Sequence, residues 1–446
     1  MKVFFVSLGC DKNLVDSEKM LGALSSHGYT ITDQEAEAEI IIVNSCCFIG
    51  DAKEESIDTI LEMAQYRESG CLKALIVTGC LAERYRDEVL ELMPEVDAIV
   101  GTASYDHIVE TIDEVLAGKK ARHLEDVSRL PKLTSGRLLT TGGHYAFLKI
   151  AEGCDKCCTY CVIPHVRGHY RSVPMEELVA EAKELADQGV SELILVAQET
   201  TLYGMDLYGA KKLPELLKQL ARIPGINWIR LQYCYPEEIT EELIQTIASE
   251  PKICHYLDMP IQHANDEILK RMGRRTNKKE LLSRITRIRE LIPDIALRTT
   301  LITGFPGETE EAFEELLDFV EEARFDRLGV FPYSQEEDTP AAVMPDQVPQ
   351  EIKEERRDAV MELQQEISAE ICEEMIGQTV EAFVEGYVPG ENVYIGRTYK
   401  DAPNVDGYVF IRSEEELESG YYVQVRVSGS EEYDLIGEAV IENEST

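Results

Sequence analysis

No run of apolar residues in the chain approaches the length of a membrane-spanning helix. The longest, such as Ile40–Val43 and Leu193–Ala197, are a fraction of the ~20 residues a bilayer requires. The N-terminal MKVFFVSLGC lacks the extended apolar stretch and small-residue cleavage site of a secretory signal. A cytoplasmic protein with no membrane association is therefore expected. Basic residues are scarce: 44 Lys and Arg stand against 84 Asp and Glu, a net charge of −40. Such a field disfavours nucleic acid, whose binding depends on Lys and Arg displacing phosphate counterions. It favours approach of a strongly basic protein. There is no strong internal repeat and no low-complexity tract. What remains, 44% apolar and 29% charged residues over a length of 446, suits two to four ordinary folded domains.

The hydrophobic pattern divides the chain in three. Residues 1–125 alternate strands (Val3–Leu8, Ile40–Val43, Leu75–Val77, Ala98–Val100) with amphipathic stretches (Asp16–His27, Glu54–Tyr66), which predicts a parallel-sheet α/β domain. A polar passage, Ser128–Gly143, reads as a linker. Residues 140–376 repeat the alternation, with six strands beginning at Ala146–Ile150 and ending at Leu328–Phe331. This predicts a partial (β/α) barrel, closed by a charged helix over Gln350–Met375. Residues 377–446 change to short alternating runs rich in Val, Tyr and Gly, which predicts a small antiparallel β barrel. That tail holds fifteen Asp and Glu against four Lys and Arg.

Twelve cysteines are present, and in a reducing compartment disulfides are not expected. Cys71, Cys234, Cys254 and Cys372 read as small buried apolar residues. The passage GCDKCCTYC differs: Cys154, Cys158 and Cys161 have the spacing of ligands to an iron–sulfur cluster. Three ligands on four irons leave one iron open to the amino and carboxylate groups of S-adenosylmethionine. A zinc knot and a plain electron-transfer cluster are the competing readings. The motif follows the first barrel strand, at the end where barrels place chemistry. Cys157, beside Cys158, is read as a non-ligand. Cys10, Cys46 and Cys80 each follow a strand of the first domain. Ligands bind at such carboxyl ends, so they either converge on one site or are three unrelated buried thiols. Only one of Cys46 and Cys47 is expected to face such a site.

Over nearly its whole length the sequence resembles the radical S-adenosylmethionine methylthiotransferases. The likeness is carried by LGCDKNLVDSE (Leu8–Glu18), NSCCFI (Asn44–Ile49), VTGCLAERY (Val77–Tyr85), GCDKCCTYCVIPHVRG (Gly153–Gly168), AQETTLYG (Ala197–Gly204), YLDMPIQHA (Tyr256–Ala264) and LRTTLITGFPGET (Leu297–Thr309). The tail resembles the TRAM domain. CDKNLVDSE and GRTYKDAPNVDGYVF (Gly396–Phe410) are similar to the RimO type, which modifies an aspartate of small-subunit ribosomal protein twelve. The sister type modifies an adenosine in transfer RNA, where a basic TRAM domain would be expected.

The resemblance implies two [4Fe-4S] clusters, the second on Cys10, Cys46 and Cys80 carrying the sulfur. It implies S-adenosylmethionine as both methyl donor and radical source, and a β-methylthio-aspartate product. A basic ribosomal protein, a low-potential electron donor such as flavodoxin or ferredoxin, and a monomeric enzyme complete the expectation. Cys47 and Cys157 depart from the family pattern. Arg167, Arg171, Gln198, Gln262, His263 and Arg298 lie near strand ends or in these motifs; Gln198, Gln262 and Arg298 are the candidates for binding S-adenosylmethionine. Gly304–Gly307 would permit close backbone approach to a ligand.

Overall fold

The computed structural model describes residues 1–133 and 136–440. Two residues of the linker passage and the last six of the expected third domain lie outside the described residues.

Strands β1 (Lys2–Ser7), β2 (Thr30–Ile31), β3 (Ile40–Ser45), β4 (Ala74–Gly79), β5 (Ala98–Val100) and β6 (Ala121–His123) form one parallel sheet in the order β2-β1-β3-β4-β5-β6. Every residue of β3 and β4 is buried. Central strands covered by helices on both faces require this, which is why Ile40–Val43 reads as an unbroken apolar run. Ile40, Ile42 and Ile76 pack with Met20 and Leu24 on one face, and Ile41, Val43 and Val77 pack with Ile60 on the other. Cys71 departs from expectation. It is exposed in the turn before β4, where the neighbouring Leu72 takes the buried position.

The second sheet comprises β7 (Tyr145–Lys149), β10 (Glu192–Val196), β11 (Trp228–Leu231), β12 (Ile253–Asp258), β13 (Ala296–Thr303) and β14 (Arg327–Pro332), between whose first two strands β8 (Ala151–Glu152) and β9 (Arg171–Ser172) make a small ladder. All its pairs are parallel, in the order β14-β13-β12-β11-β10-β7, and it does not close. Leu148, Leu195, Leu231, Leu257 and Leu297 point outward into the helical layer. Residues of the other parity point inward, where two other parts of the chain cover them. Phe147, Ile194 and Val196 meet Val15 of the first domain, and Trp228, Cys254, Tyr256 and Ala296 meet Phe383 and Ala402 of the tail.

The tail forms a closed barrel of β15 (Thr379–Val388), β16 (Val393–Thr398), β17 (Val409–Arg412), β18 (Tyr422–Ser430) and β19 (Leu435–Ala439), in the order β15-β16-β17-β19-β18. It is not antiparallel throughout: β17 and β19 run parallel. A ring of five strands cannot alternate direction at every step, so closure forces one parallel pair. This small barrel plugs the N-terminal mouth of the open one. Glu192, with no exposed side-chain surface, accepts from Arg230 Nε (2.8 Å) and Arg397 Nη2 (2.7 Å). Tyr256 donates to Asp406 (2.8 Å), and Arg327 pairs with Asp401 (2.6 Å). No helix among the described residues is long and apolar enough to cross a membrane.

Candidate active site

Cys154 lies in the loop after β8. Gly153 takes φ +80° there, and a Cβ would sit 2.1 Å from the His169 carbonyl oxygen, so only glycine lets the loop leave so close to β9. The Cys154 amide donates to Gly168 O (3.1 Å) and the Cys161 amide to Cys158 O (3.1 Å). Cys154 and Cys158 are buried and Cys161 half-buried, whereas Cys157 is exposed. Cys157 also adopts φ +52°, which turns its side chain apart from that of Cys158. Burial pushes the Cys154 thiol up to about 12, and the neighbouring Cys158 adds to the rise. Burial also raises Cys161.

In the first domain Cys10 caps the helix Asp11–Ser26, which begins five residues before the amphipathic stretch starts. Cys46 follows β3, and Cys80 opens the helix Cys80–Tyr85 directly after β4. Gly9, at φ +90°, would place a Cβ 3.0 Å from Cys46 Sγ, so the Cys10 loop passes hard against Cys46. Asn13 ties the loops together through Leu8 O (3.0 Å) and Ser45 O (3.1 Å). Cys47 is fully buried among Ile41, Val43 and Ile60, leaving Cys46 as the one of the pair beside Cys10. Burial raises both Cys46 and Cys80, the latter to about 12 against the pull of the Arg167 cation.

A zinc ion with Zn–S bonds of about 2.3 Å would draw its tetrahedral sulfurs to roughly 3.8 Å of one another. Among the described residues, the triplet whose ligand atoms all fall within 4.8 Å is His107, Glu110 and His123 on the far edge of the first sheet; neither cysteine triad is gathered so tightly. Cys154, Cys158 and Cys161, on one loop and spread more widely than a single tetrahedral ion would hold them, fit a multi-iron cluster as a donor set.

Arg167 links Cys80 to Glu152, in the short strand that leads to Cys154. It lies six residues past Cys161, fully buried. Its Nη2 is 3.6 Å from Cys80 Sγ and bonds Asn13 Oδ1, while Nη1 reaches Asp16 (2.8 Å) and Glu152 (3.2 Å). Glu152, two residues before Cys154, also binds Lys149 (2.6 Å). Although burial opposes its ionisation, these cations hold its carboxyl well below the usual range. Cys10 itself opens on the C-terminal mouth of the barrel: Tyr233, just past β11, donates to Asp11 (3.1 Å) and lies under Lys12 Nζ.

The sequence candidates are placed as follows. Gln198, after β10, donates to Glu152 (2.8 Å), and its buried carbonyl oxygen has no partner. Gln262 sits at φ +71° beyond β12, its backbone bonded to Thr300 and Ile302 of β13. Arg298 is engaged by Asp258 (2.9 Å) and Asp406 (3.3 Å), so it locks the tail barrel to the open one. His263 is buried against Glu308 (3.2 Å), which also accepts from the Gly304 amide (3.0 Å). Arg171 reaches the Arg167 carbonyl (3.1 Å).

The residue that sequence reasoning missed is Glu199. It is buried beside Cys154, with Oε1 taken by the Thr201 amide (2.9 Å) and Oε2 without a hydrogen-bond partner. Burial raises its carboxyl to about 7, against Thr201 and the Lys156 cation. The Gln232 side-chain Oε1 is likewise orphaned. Buried polar atoms rarely go unpaired, and unpaired acceptors at a barrel mouth fit a ligand bearing an amino group, as S-adenosylmethionine does.

Three family models match: the Radical SAM superfamily over residues 148–320, "Uncharacterized protein family UPF0004" over 2–101, and the TRAM domain over 376–440. The chain is 62% identical over 439 residues (98% of it, 100% of the relative) to the ribosomal protein uS12 methylthiotransferase RimO of Lachnoclostridium phytofermentans. It is 51% and 50% identical to those of Acetivibrio thermocellus and Clostridioides difficile, with 99% of each chain covered. The chain belongs to the RimO family. Membership brings a radical S-adenosylmethionine methylthiotransferase chemistry, with a [4Fe-4S] cluster and S-adenosylmethionine. Beyond the RimO family the likeness is of fold. A radical S-adenosylmethionine methyltransferase, TsrM of Kitasatospora setae, superposes with a TM-score of 0.55 at 14% identity, covering 77% of this chain and 74% of that one. The cobalamin-dependent radical enzyme OxsB gives 0.52 at 13%, covering 77% and 54%.

Proposed function

We propose that the protein transfers a methylthio group to the β-carbon of an aspartate in ribosomal protein uS12, using S-adenosylmethionine as methyl donor and radical source. The observation that supports this reading is Arg167, which runs from Cys80 at a strand end of the first domain to Glu152, two residues before Cys154 of the barrel. In this reading residues 1–125, 140–376 and 377–446 are three units with separate tasks. Cys154, Cys158 and Cys161 hold one [4Fe-4S] cluster, and Cys10, Cys46 and Cys80 a second. When bound, these supply a low-potential electron for cleaving a C–S bond of S-adenosylmethionine and a seat for the sulfur to be inserted.

The chain's own residues do the rest. Glu199 Oε2, without a hydrogen-bond partner and 3.9 Å from Lys156 Nζ, accepts a hydrogen bond from the amino group of S-adenosylmethionine, with Gln198 and the Gln262 backbone turn at neighbouring strand ends. Arg298 takes a positioning role through Asp258 and Asp406. Arg167 fixes the first-domain triad against the loop of the second. The tail barrel closes the floor and the first domain covers part of the inner face.

The acidic tail suits a basic partner from the small ribosomal subunit. A flavodoxin- or ferredoxin-class donor, a cytoplasmic setting and a monomeric enzyme belong to the same reading. Mass spectrometry of uS12 and of transfer RNA from a deletion strain tests it. Loss of the methylthio group from uS12 is expected; loss from a transfer-RNA adenosine alone would overturn the assignment.

A further inference from the structure

In a chain of net charge −40, the segment Lys270–Lys279 holds six Lys and Arg and no acid. It lies against the back of the Cys154–Cys161 loop. The Thr159 amide donates to Met272 O (3.0 Å) and the Thr159 hydroxyl to Arg271 O (2.8 Å). Gly273, at φ +76°, approaches so closely that a Cβ there would sit 3.4 Å from Cys157 O and 3.7 Å from Cys158 Cα. Arg274 is buried over the ring of Tyr235, whose hydroxyl lies 3.9 Å from Cys158 Sγ. The bases divide by role. Arg274 is spent on this packing, and Lys278 pairs with Glu315 (3.4 Å). Arg271 meets Asp346 only at 4.0 Å. Lys270, Arg275 and Lys279 are exposed and form no ion pair among the described residues.

We propose that this segment is the docking face for an acidic, low-potential electron carrier of the flavodoxin or ferredoxin class. The inference rests on the reading of Cys154, Cys158 and Cys161 as cluster ligands. Unpaired charges that survive on an oppositely charged surface steer a complementary partner. The segment that carries them is bonded through the Met272 carbonyl to Thr159, the residue beside Cys158. One electron leaves the carrier's reduced centre, which is oxidised by one unit. The centre held by the triad is reduced by one unit, and no atom or proton changes place. The chain's net charge of −40 disfavours approach of such a carrier as a whole, so the bases also set the orientation in which it arrives.

The test is the triple variant Lys270→Glu, Arg275→Glu, Lys279→Glu, whose side chains are exposed and whose fold should stand. Calorimetry of the cluster-free protein with oxidised flavodoxin should show Kd weakened about tenfold or more. The wild-type affinity should fall with added salt. In reconstituted protein, 5′-deoxyadenosine formation driven by reduced flavodoxin should fall in step, while the dithionite-driven rate stays at the wild-type level. Unchanged flavodoxin affinity, an equal loss with dithionite, or a loss confined to binding of small-subunit ribosomal RNA would each overturn the proposal. Absence of dithionite-driven product in the wild type would instead sink the cluster reading on which it rests.

Discussion

Glu192→Gln is nearly isosteric, leaves no cavity and removes one charge from the floor of the barrel. Glu192 sits between two guanidiniums, those of Arg230 and Arg397, and all three side chains have no exposed surface. A glutamine can accept from one arginine, but its NH₂ then faces the other, donor against donor. One charge-assisted hydrogen bond is lost, about 1.5–3 kcal/mol, and buried positive charge goes uncompensated. The sum is about 3–5 kcal/mol, as for other broken buried pairs. If the barrel and tail unfold together, that is a fall in Tm of roughly 6–15 °C, at about 2–3 °C per kcal/mol for a unit of this size. Differential scanning calorimetry measures it.

Arg287→Gln is the control. Arg287 pairs with Glu241 at 2.5 Å, but the two side chains are 43% and 45% exposed, so solvent screening should leave Tm close to that of the wild type. Although burial opposes it, Arg397 and Arg230 keep the Glu192 carboxyl below its ordinary value. The stabilisation is therefore present above the unfolded pKa and lost as pH falls through the folded one. The wild-type advantage over Glu192→Gln should accordingly shrink in acid below about pH 4.5. Equal Tm losses in the two variants, or a difference that grows in acid, would refute the reasoning.

Cys158→Ala should abolish 5′-deoxyadenosine formation, whereas Cys46→Ala should retain it and block sulfur insertion; iron and sulfide analysis should fall by about half in each. Glu199→Gln should weaken S-adenosylmethionine binding by about 2 kcal/mol or more, roughly thirtyfold. Because the Glu199 carboxyl is raised to about 7, wild-type binding should release about 0.9 proton more than the variant at pH 6 and about 0.1 more at pH 8. Calorimetry in buffers of different ionisation enthalpy reads this, and a pH-independent difference would count against Glu199 as the acceptor. Arg167→Lys cannot reach Cys80, Asp16 and Glu152 together, as a guanidinium fork does. It should alter the electron paramagnetic resonance of the first-domain cluster while both triads still load iron; an unaltered spectrum would argue that Arg167 is only structural.

The positions of Cys10, Cys46, Cys80 and Cys154 in the fold were legible because each follows a strand, and strands in parallel sheets announce themselves as apolar runs. The long strands β3, β4, β10 and β13 were legible for the same reason. β2 and β6 were not: Thr30–Ile31 and Ala121–His123 are short edge strands held by backbone pairing, with little buried surface to leave a pattern. The start of the helix Asp11–Ser26 was hidden by Lys12 and Asn13, polar residues that a periodicity argument assigns to solvent. They are buried because groups of another domain meet them: the Tyr233 ring lies under Lys12 and Arg167 bonds Asn13. Glu199 was invisible for a related reason: a carboxylate carries no sign in sequence of whether its oxygens will find partners. The parallel β17–β19 pair follows from the parity of a five-membered ring, which alternation within single strands does not encode.

The tail barrel is a stopper and not a tether. Glu192, Arg230, Arg327 and Tyr256 anchor it at the first turns of several strands at once. Its acidic outer surface is therefore set at a fixed distance and angle from the opposite mouth, where the chemistry happens. A partner gripped there cannot offer its residues one after another. It presents whichever side chain its own fold holds at the right reach, as a workpiece clamped in a jig meets the drill at a single point. Selection of one aspartate can then come from the partner's shape, with no need to read the residues around it.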